Sequence, residues 1–223
     1  MTMQSRYHSL RQEINELVKE DREITLVPVS KQRSIHEIKI LYDLGCRDFA
    51  ENRLDEALEK MKTLPSDIRW HMIGHIQSKK VAKVVAAQFF LIHSVDSLEL
   101  AQKISKASLK QNLITSILLQ ANISGEESKQ GLSPQEWKDV FDELISLPAI
   151  HVKGWMTMAP LTEDDEKIKV SFQALRILRD SLSTTDCPMP ILSMGMSHDY
   201  RLAIEEGTTM LRIGSQIFGS RSV

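Results

Sequence analysis

Cysteine is nearly missing from this chain: Cys46 and Cys187 are the only two in 223 residues, and their separation matches no zinc or iron–sulfur spacing. Such a pair reads as free thiols in a reducing compartment rather than as a disulfide framework. No apolar run approaches the roughly 18 residues needed to cross a bilayer. The amino terminus, MTMQSRYHSLRQEINELVKEDRE, is polar and helical rather than signal-like. These absences predict a soluble, cytoplasmic protein. An excess of one charge is also lacking, since 28 Lys and Arg face 30 Asp and Glu for a net charge of −2. That balance argues against the broad basic footprint of a nucleic-acid binder. With 42% of its residues hydrophobic, a chain this long buries roughly 70% of its unfolded surface, enough for a core without disulfides or metals.

What is present is a repeated alternation. An amphipathic first helix sets Tyr7, Leu10, Ile14, Leu17 and Val18 at helical spacing. Apolar runs follow: ITLVPVS (24–30), CRDFAE (46–51), RWHMIG (69–74), QFFLIHSV (88–95), SILLQANI (116–123), HVKGWMTM (151–158), PILSMGM (190–196) and TMLRIG (209–214). Helical stretches begin near Ser34, Arg53, Gln77, Ser97, Ser133, Asp164, Ser197 and Ser215, several of them on good N-cap residues. Strands alternating with helices imply parallel pairing through right-handed crossovers. Eight units of about 28 residues favour a closed (β/α)8 TIM barrel over an open doubly wound sheet. No composition break marks a second domain. Residues 1–223 are therefore expected to form one domain, with 1–22 as an extra N-terminal helix packed on the barrel.

Barrels bind ligands at the C-terminal ends of their strands. Here those ends carry Ser30-Lys31, Glu51-Asn52, Gly74-His75, His93-Ser94, Asn122, Met156, residues 193–197 and residues 212–215. Lys31 directly follows the first apolar run. At a barrel mouth its amine is either a desolvated nucleophile able to form an imine, or a side chain snorkelling to water. Gly195 with Ser197, and Gly214 with Ser215, open the two helices after the last two strands. That position suits a phosphate, or two ordinary turns with capping serines. Arg212, in the last strand, is expected to meet either a ligand or Glu51. His71 and His75 lie four apart, but Gly74 intervenes and a third ligand is missing, so hydrogen-bonded core or rim roles are expected instead of a metal. Lys79, Lys80 and Lys83 read as a solvated face. The methionines Met156, Met158, Met194 and Met196 read as adaptable packing.

The motifs LVPVSK (26–31), AENR (50–53), WHMIGHIQSKK (70–80), HSVDS (93–97), LLQANISGEESKQG (118–131), GWMTMAP (154–160), SMGMSHD (193–199) and EEGTTMLRIGSQIFGSR (205–221) resemble the YggS/PROSC family of pyridoxal phosphate homeostasis proteins. These are similar to the isolated N-terminal barrel of alanine racemase. The resemblance spans nearly the whole chain and is far more specific than a single glycine motif. It implies that Lys31 carries pyridoxal 5′-phosphate (PLP) as a Schiff base and that Asn52 lies beside the pyridine ring. It further implies that Ser197, Gly214 and Ser215 hold the phosphate, that Met194 and Gly195 run along the ring's edge, and that Arg212 faces the pyridine nitrogen. Lys129 matches a family lysine on a loop near the cofactor. Three positions depart from the pattern: Ala50 replaces a glycine, Lys79 an asparagine, and Ser215 a threonine whose hydroxyl it keeps.

An arginine at the ring nitrogen cannot give the cofactor the protonated pyridine on which carbanion chemistry depends. The chain also ends at Val223 without the second domain that gives alanine racemase its opposite-face acid/base. The resemblance thus implies a carrier that sequesters PLP and hands it to apo-enzymes, as a monomer. A low-rate amino-acid racemase and, further behind, a Schiff-base aldolase for a sugar phosphate are the alternatives.

Overall fold

The structure, a computed structural model, describes residues 1–18, 22–126 and 129–219. Helix α1 (Met3–Leu17) precedes an alternating series: β1 (Thr25–Pro28), α2 (Ile35–Asp43), β2 (Asp48–Glu51), α3 (Leu54–Thr63), β3 (Arg69–Met72), α4 (Val81–Ala86), β4 (Leu91–Val95) and α5 (Leu98–Lys110). The series continues with β5 (Thr115–Gln120), α6 (Pro134–Ile145), β6 (Ile150–Met156), α7 (Asp165–Leu182), β7 (Ile191–Ser193), α8 (Tyr200–Glu205), β8 (Met210–Ile213) and α9 (Ser215–Phe218). Six strands fall within the apolar runs, and β5 and β6 each begin one residue before theirs, at Thr115 and Ile150. All pair in parallel in the order β1-β8-β7-β6-β5-β4-β3-β2. The remaining gap is bridged where Val29 meets Ala50 and the Ser30 N–H donates to the Ala50 carbonyl at 2.9 Å. The barrel closes there, as the even units predict.

Two cores follow from the period-2 alternation of side chains along the strands. Val27, Ala50, Leu91, Leu118, Met156 and Met210 form a small inner cluster. Their strand neighbours Leu26, Phe49, Ile92, Leu119, Trp155 and Leu211 belong to the large cluster beneath the helices. Ala50 is fully buried in an ordinary strand conformation, so replacing the family's glycine leaves β2 intact. Serine caps start α2, α5 and α6 at Ser34, Ser97 and Ser133, and Asp164 caps α7.

One expected cap is corrected. Ser197 does not open α8: residues 197–199 form a turn, and the helix starts at Tyr200. The physical reason is Asp199, whose carboxylate accepts the Met196 N–H at 2.6 Å and fastens the turn before the helix begins. In α1, Tyr7, Leu10 and Ile14 are buried and Val18 packs against the same core, whereas Leu17 is 37% exposed, so of the expected stripe only Leu17 turns outward. The helix is pinned to the C-terminal helices. Arg6 donates to the Ile217 carbonyl at 2.8 Å, and Glu13 accepts from the Tyr200 hydroxyl at 2.8 Å. Residues 19–21 of the expected N-terminal segment, 127–128 of the Lys129 loop, and 220–221 of the last motif lie outside the described residues. Both cysteines are free thiols. No helix among the described residues is long and apolar enough to cross a membrane.

Gly154, inside β6, has φ of 148°, and a β-carbon there would lie 1.9 Å from the Ile191 carbonyl oxygen of β7. Gly154→Ala should therefore lower the unfolding free energy by at least about 2 kcal/mol, measurable by chemical denaturation. A neutral effect would contradict the β6–β7 register.

Candidate functional site

Strand β1 runs out at the rim between two neighbours: Val29 N–H donates to the Ile213 carbonyl at 2.8 Å, and Ser30 N–H to Ala50. The chain then turns sharply, with Gln32 at φ 60° and the Arg33 N–H closing back on the Ser30 carbonyl at 3.0 Å. Lys31 sits on that turn. Beneath it lies a buried group that sequence reasoning missed. Lys60 of α3 donates to the Ser30 carbonyl at 2.8 Å, to Glu51 at 2.7 Å and to Glu56 at 2.7 Å. Glu51 also accepts the Ser30 hydroxyl at 2.6 Å. Burial pushes the Glu51 carboxyl up, with Lys60 and Ser30 opposing. The available signal was that Lys60 continues the buried face of α3 begun by Leu54 and Ala57.

Above this foundation opens a cavity of about 380 Å³. Six of the eight expected cofactor-binding residues line it: Lys31, Asn52, Ser197, Arg212, Gly214 and Ser215. Met194 and Gly195 do not. Met194 faces the outer core, fully buried. Gly195, at φ 94°, packs so tightly on Ala203 and Leu211 that a side chain would collide with both. The wall also includes Val29, Ile73, Met156, Met158 and Met196, an apolar lining for a flat ring, and Arg33 and His198, which the sequence reading did not single out. Among the described residues this wall has three cationic side chains, Lys31, Arg33 and Arg212, and no Asp or Glu.

The turns at Ser197 and Ser215 are tied together by Gln216, which donates to the Ser197 carbonyl at 2.6 Å. The Ser215 and Gln216 N–H groups precede the helical ladder, whose first bonds run from Ile217 and Phe218 to the Gly214 carbonyl at 3.1 and 3.0 Å. Asn52 is held from behind by Gly74, where a β-carbon would fall 1.9 Å from the Asn52 carbonyl oxygen. Lys129 is not on the wall: it donates to Glu126 at 2.8 Å and to the Ala159 carbonyl at 3.0 Å. Lys80 pairs with Asp55 at 2.7 Å on the outer face, beside exposed Lys79.

Arg212 is buried, and its partner is not Glu51. Its Nη1 donates to Ser193 Oγ at 2.6 Å and its Nη2 to the Thr157 carbonyl at 3.0 Å. Burial pushes this guanidinium down to about 10, with Asp199 opposing. The histidines also separate. His75 reaches Asp96 at 3.2 Å on the rim. His71 lies inside the barrel, 3.0 Å from Asp48 and 2.9 Å from His93, whose other nitrogen is 2.9 Å from Ser193 Oγ. Among the described residues no group of three His, Cys, Asp or Glu could hold a metal.

Fold and rim together define a class: a parallel (β/α)8 barrel with a cationic cavity at its C-terminal face, beside a strand-end lysine. The family model for the alanine racemase N-terminal domain matches residues 6–222. The chain is 40% identical over 198 residues to the pyridoxal phosphate homeostasis protein of Aquifex aeolicus, covering 88% of this chain and 86% of that one. It is 35% identical over 203 residues to the protein of that name from Schizosaccharomyces pombe, covering 90% and 85%. The PipY protein of Synechococcus elongatus, solved with PLP bound, superposes with a TM-score of 0.84 at 32% identity, covering 98% of this chain and 100% of that one. Alanine racemase of Clostridium difficile shares the fold, with a TM-score of 0.75 at 18% identity over 99% of this chain and 57% of its own. The chain belongs to the alanine racemase N-terminal domain family and, within it, to the pyridoxal phosphate homeostasis proteins.

Burial pushes His93 well below the usual value of 6.5 and lowers His71 too, where Asp48 opposes it. The unfolded chain takes up protons there more readily than the folded one. Stability is therefore fully present above about pH 6.5 and falls below it, with a limiting slope of about 1.4 kcal/mol per pH unit for each histidine. Denaturation between pH 7 and 5 should show this loss, reduced in His93→Gln; a flat profile would contradict it.

Proposed function

We propose that this protein binds PLP covalently on Lys31 and serves PLP homeostasis as a carrier rather than as an efficient catalyst. One observation carries the reading: among the described residues the cavity joins a strand-end lysine to two more cationic side chains, two serine hydroxyls and an apolar wall, without a carboxylate. That donor set fits a flat, phosphorylated aldehyde. When bound, the cofactor supplies an aldehyde for the lysine and an electron-withdrawing pyridine ring.

The chain's own residues then have distinct tasks. Lys31 provides the amine for the Schiff base, its backbone held by the Ser30, Glu51 and Lys60 network. Ser197, Ser215 and the backbone at Gly214 take the phosphate, with Arg33 adding charge. Asn52 braces the ring substituents. Gly195 contributes through its backbone, whose carbonyl accepts the Arg212 N–H at 3.1 Å, and Met194 through packing beneath the turn. Arg212 faces the ring nitrogen with the N–H groups it does not spend on Ser193 and Thr157. A guanidinium donates and does not accept, so that nitrogen stays unprotonated and carbanion chemistry is restrained. The same proposal includes a single barrel domain, a monomeric cytoplasmic state and delivery to apo-enzymes that use PLP.

Purified protein should show a visible absorbance band that borohydride removes, leaving a pyridoxyl mass on the Lys31 peptide. Lys31→Ala should lose both while keeping its fold. Ser197→Ala should keep the imine but retain PLP about tenfold less well, the worth of one hydrogen bond to a charged group. A protein that takes up no added PLP would sink the proposal.

A second reading, slow racemisation, rests on His198, which brings an imidazole to the cavity wall. Loaded protein in D2O with L-alanine discriminates the two. The carrier predicts no α-deuteration above the free-PLP background; exchange that disappears in His198→Ala would make the protein a racemase.

A further inference from the structure

A column of polar side chains crosses the barrel interior, which is otherwise filled by the small apolar inner cluster. It starts at Arg212 on β8, passes through Ser193 on β7 and His93 on β4 to His71 on β3, and ends at Asp48, the first residue of β2. Successive contacts are 2.6, 2.9, 2.9 and 3.0 Å. Every side chain in it is buried. At the far end Asp48 is also gripped by Arg69, whose Nε donates at 2.8 Å. The column thus runs from the cavity at the C-terminal rim to the opposite end of the barrel.

The two ends fix the direction of every bond. Arg212 can only donate, so Ser193 Oγ accepts from it. Asp48 accepts as a carboxylate: burial alone would raise its pKa, but Arg69 and His71 outweigh that and hold it at about 2. His71 must then carry its proton on Nε2. A neutral His71 leaves Nδ1 as an acceptor, so His93 donates from Nε2 and accepts at Nδ1, where the Ser193 hydroxyl is the only donor in the contact. All protons point from Arg212 towards Asp48. Such a chain does not conduct a proton out of the site, because its first member would have to surrender one and arginine does not. What it does is orient and polarise, each bond strengthening the next.

We propose that Ser193, His93, His71 and Asp48 form a one-directional hydrogen-bond relay that clamps Arg212 as a donor facing the cavity, making them positioning residues for the cofactor's ring nitrogen. The inference rests on the reading that PLP occupies that cavity. The relay itself exists without cofactor. It makes the carrier character a property of the barrel interior: the guanidinium cannot swing away from the ring while Ser193 and Thr157 hold two of its N–H groups.

The test is nitrogen-15 NMR of the full chain, first without and then with PLP. His71 and His93 should both appear as neutral imidazoles protonated at Nε2, and the Arg212 side-chain N–H groups should exchange slowly. His93→Leu breaks the relay with an apolar group; it should speed Arg212 exchange and raise the PLP dissociation rate about tenfold. His93→Gln restores an acceptor and a donor and should recover retention to within about threefold. Should His93→Leu fail to fold, Ser193→Ala against Ser193→Thr makes the same comparison from the next link. A His93 protonated at Nδ1, an imidazolium at His71, or a His93→Leu protein with unchanged Arg212 exchange would overturn the relay. Correct tautomers in a wild-type protein that takes up no PLP would instead overturn the proposed function, and with it the relay's role towards the cofactor.

Discussion

A guanidinium buried inside the barrel, with no carboxylate in salt-bridge distance among the described residues, is the constraint on which the rest turns. Taking an arginine out of water unpaired is costly enough to unfold a marginal protein. The interior answers with a hydroxyl, a backbone carbonyl and two neutral imidazoles leading to a distant aspartate. The four side chains come from four different strands, β7, β4, β3 and β2, at inward positions that parallel register fixes, and the carbonyl from Thr157 just beyond β6. A shift of one residue in any of those strands would turn its polar group out towards the helices. The barrel's register and its chemistry are therefore one requirement.

The lysine side of the cavity is built differently. Lys31 owes its place to a turn, not to a strand, and the turn is held by charge: Lys60 from α3 binds the Ser30 carbonyl and two glutamates at once. Breaking one partner of such a buried set leaves the others uncompensated. The arrangement gives Lys31 a rigid base, which suits the Schiff-base role proposed for it.

Much of this was legible in the sequence, for identifiable reasons. Strands buried on both faces read as continuous apolar runs, so all eight stood out, and their polar ends marked the rim. Serine caps at Ser97 and Ser133 announced their helices. Ser197 misled because Asp199, two residues on, competes for the same turn and wins with a carboxylate. Met194 sits in a motif whose neighbours reach the cavity, but strand parity carries its own side chain into the outer core. Lys60 was invisible because a lysine on a helix normally signals the solvent face. The His71–His93 contact joins residues 22 apart on adjacent strands, whereas the spacing that draws the eye, His71 to His75, leads to unrelated surroundings. Family resemblance supplied the roles expected of Asn52 and Arg212, which no spacing rule would have done, whereas position alone had already offered a phosphate site at Ser197 and Ser215 as one of two readings.

In the proposed function Arg212 presents a donor, and no acid, to the ring nitrogen of bound PLP. Loading the protein with PLP labelled with nitrogen-15 in the ring and recording that single resonance at neutral pH tests it most directly. The account predicts an unprotonated pyridine shift that does not titrate as the pH is lowered through the range in which free PLP takes up its ring proton. A pyridinium shift at neutral pH would show that the site supplies a proton there, and would place the protein among catalysts rather than carriers.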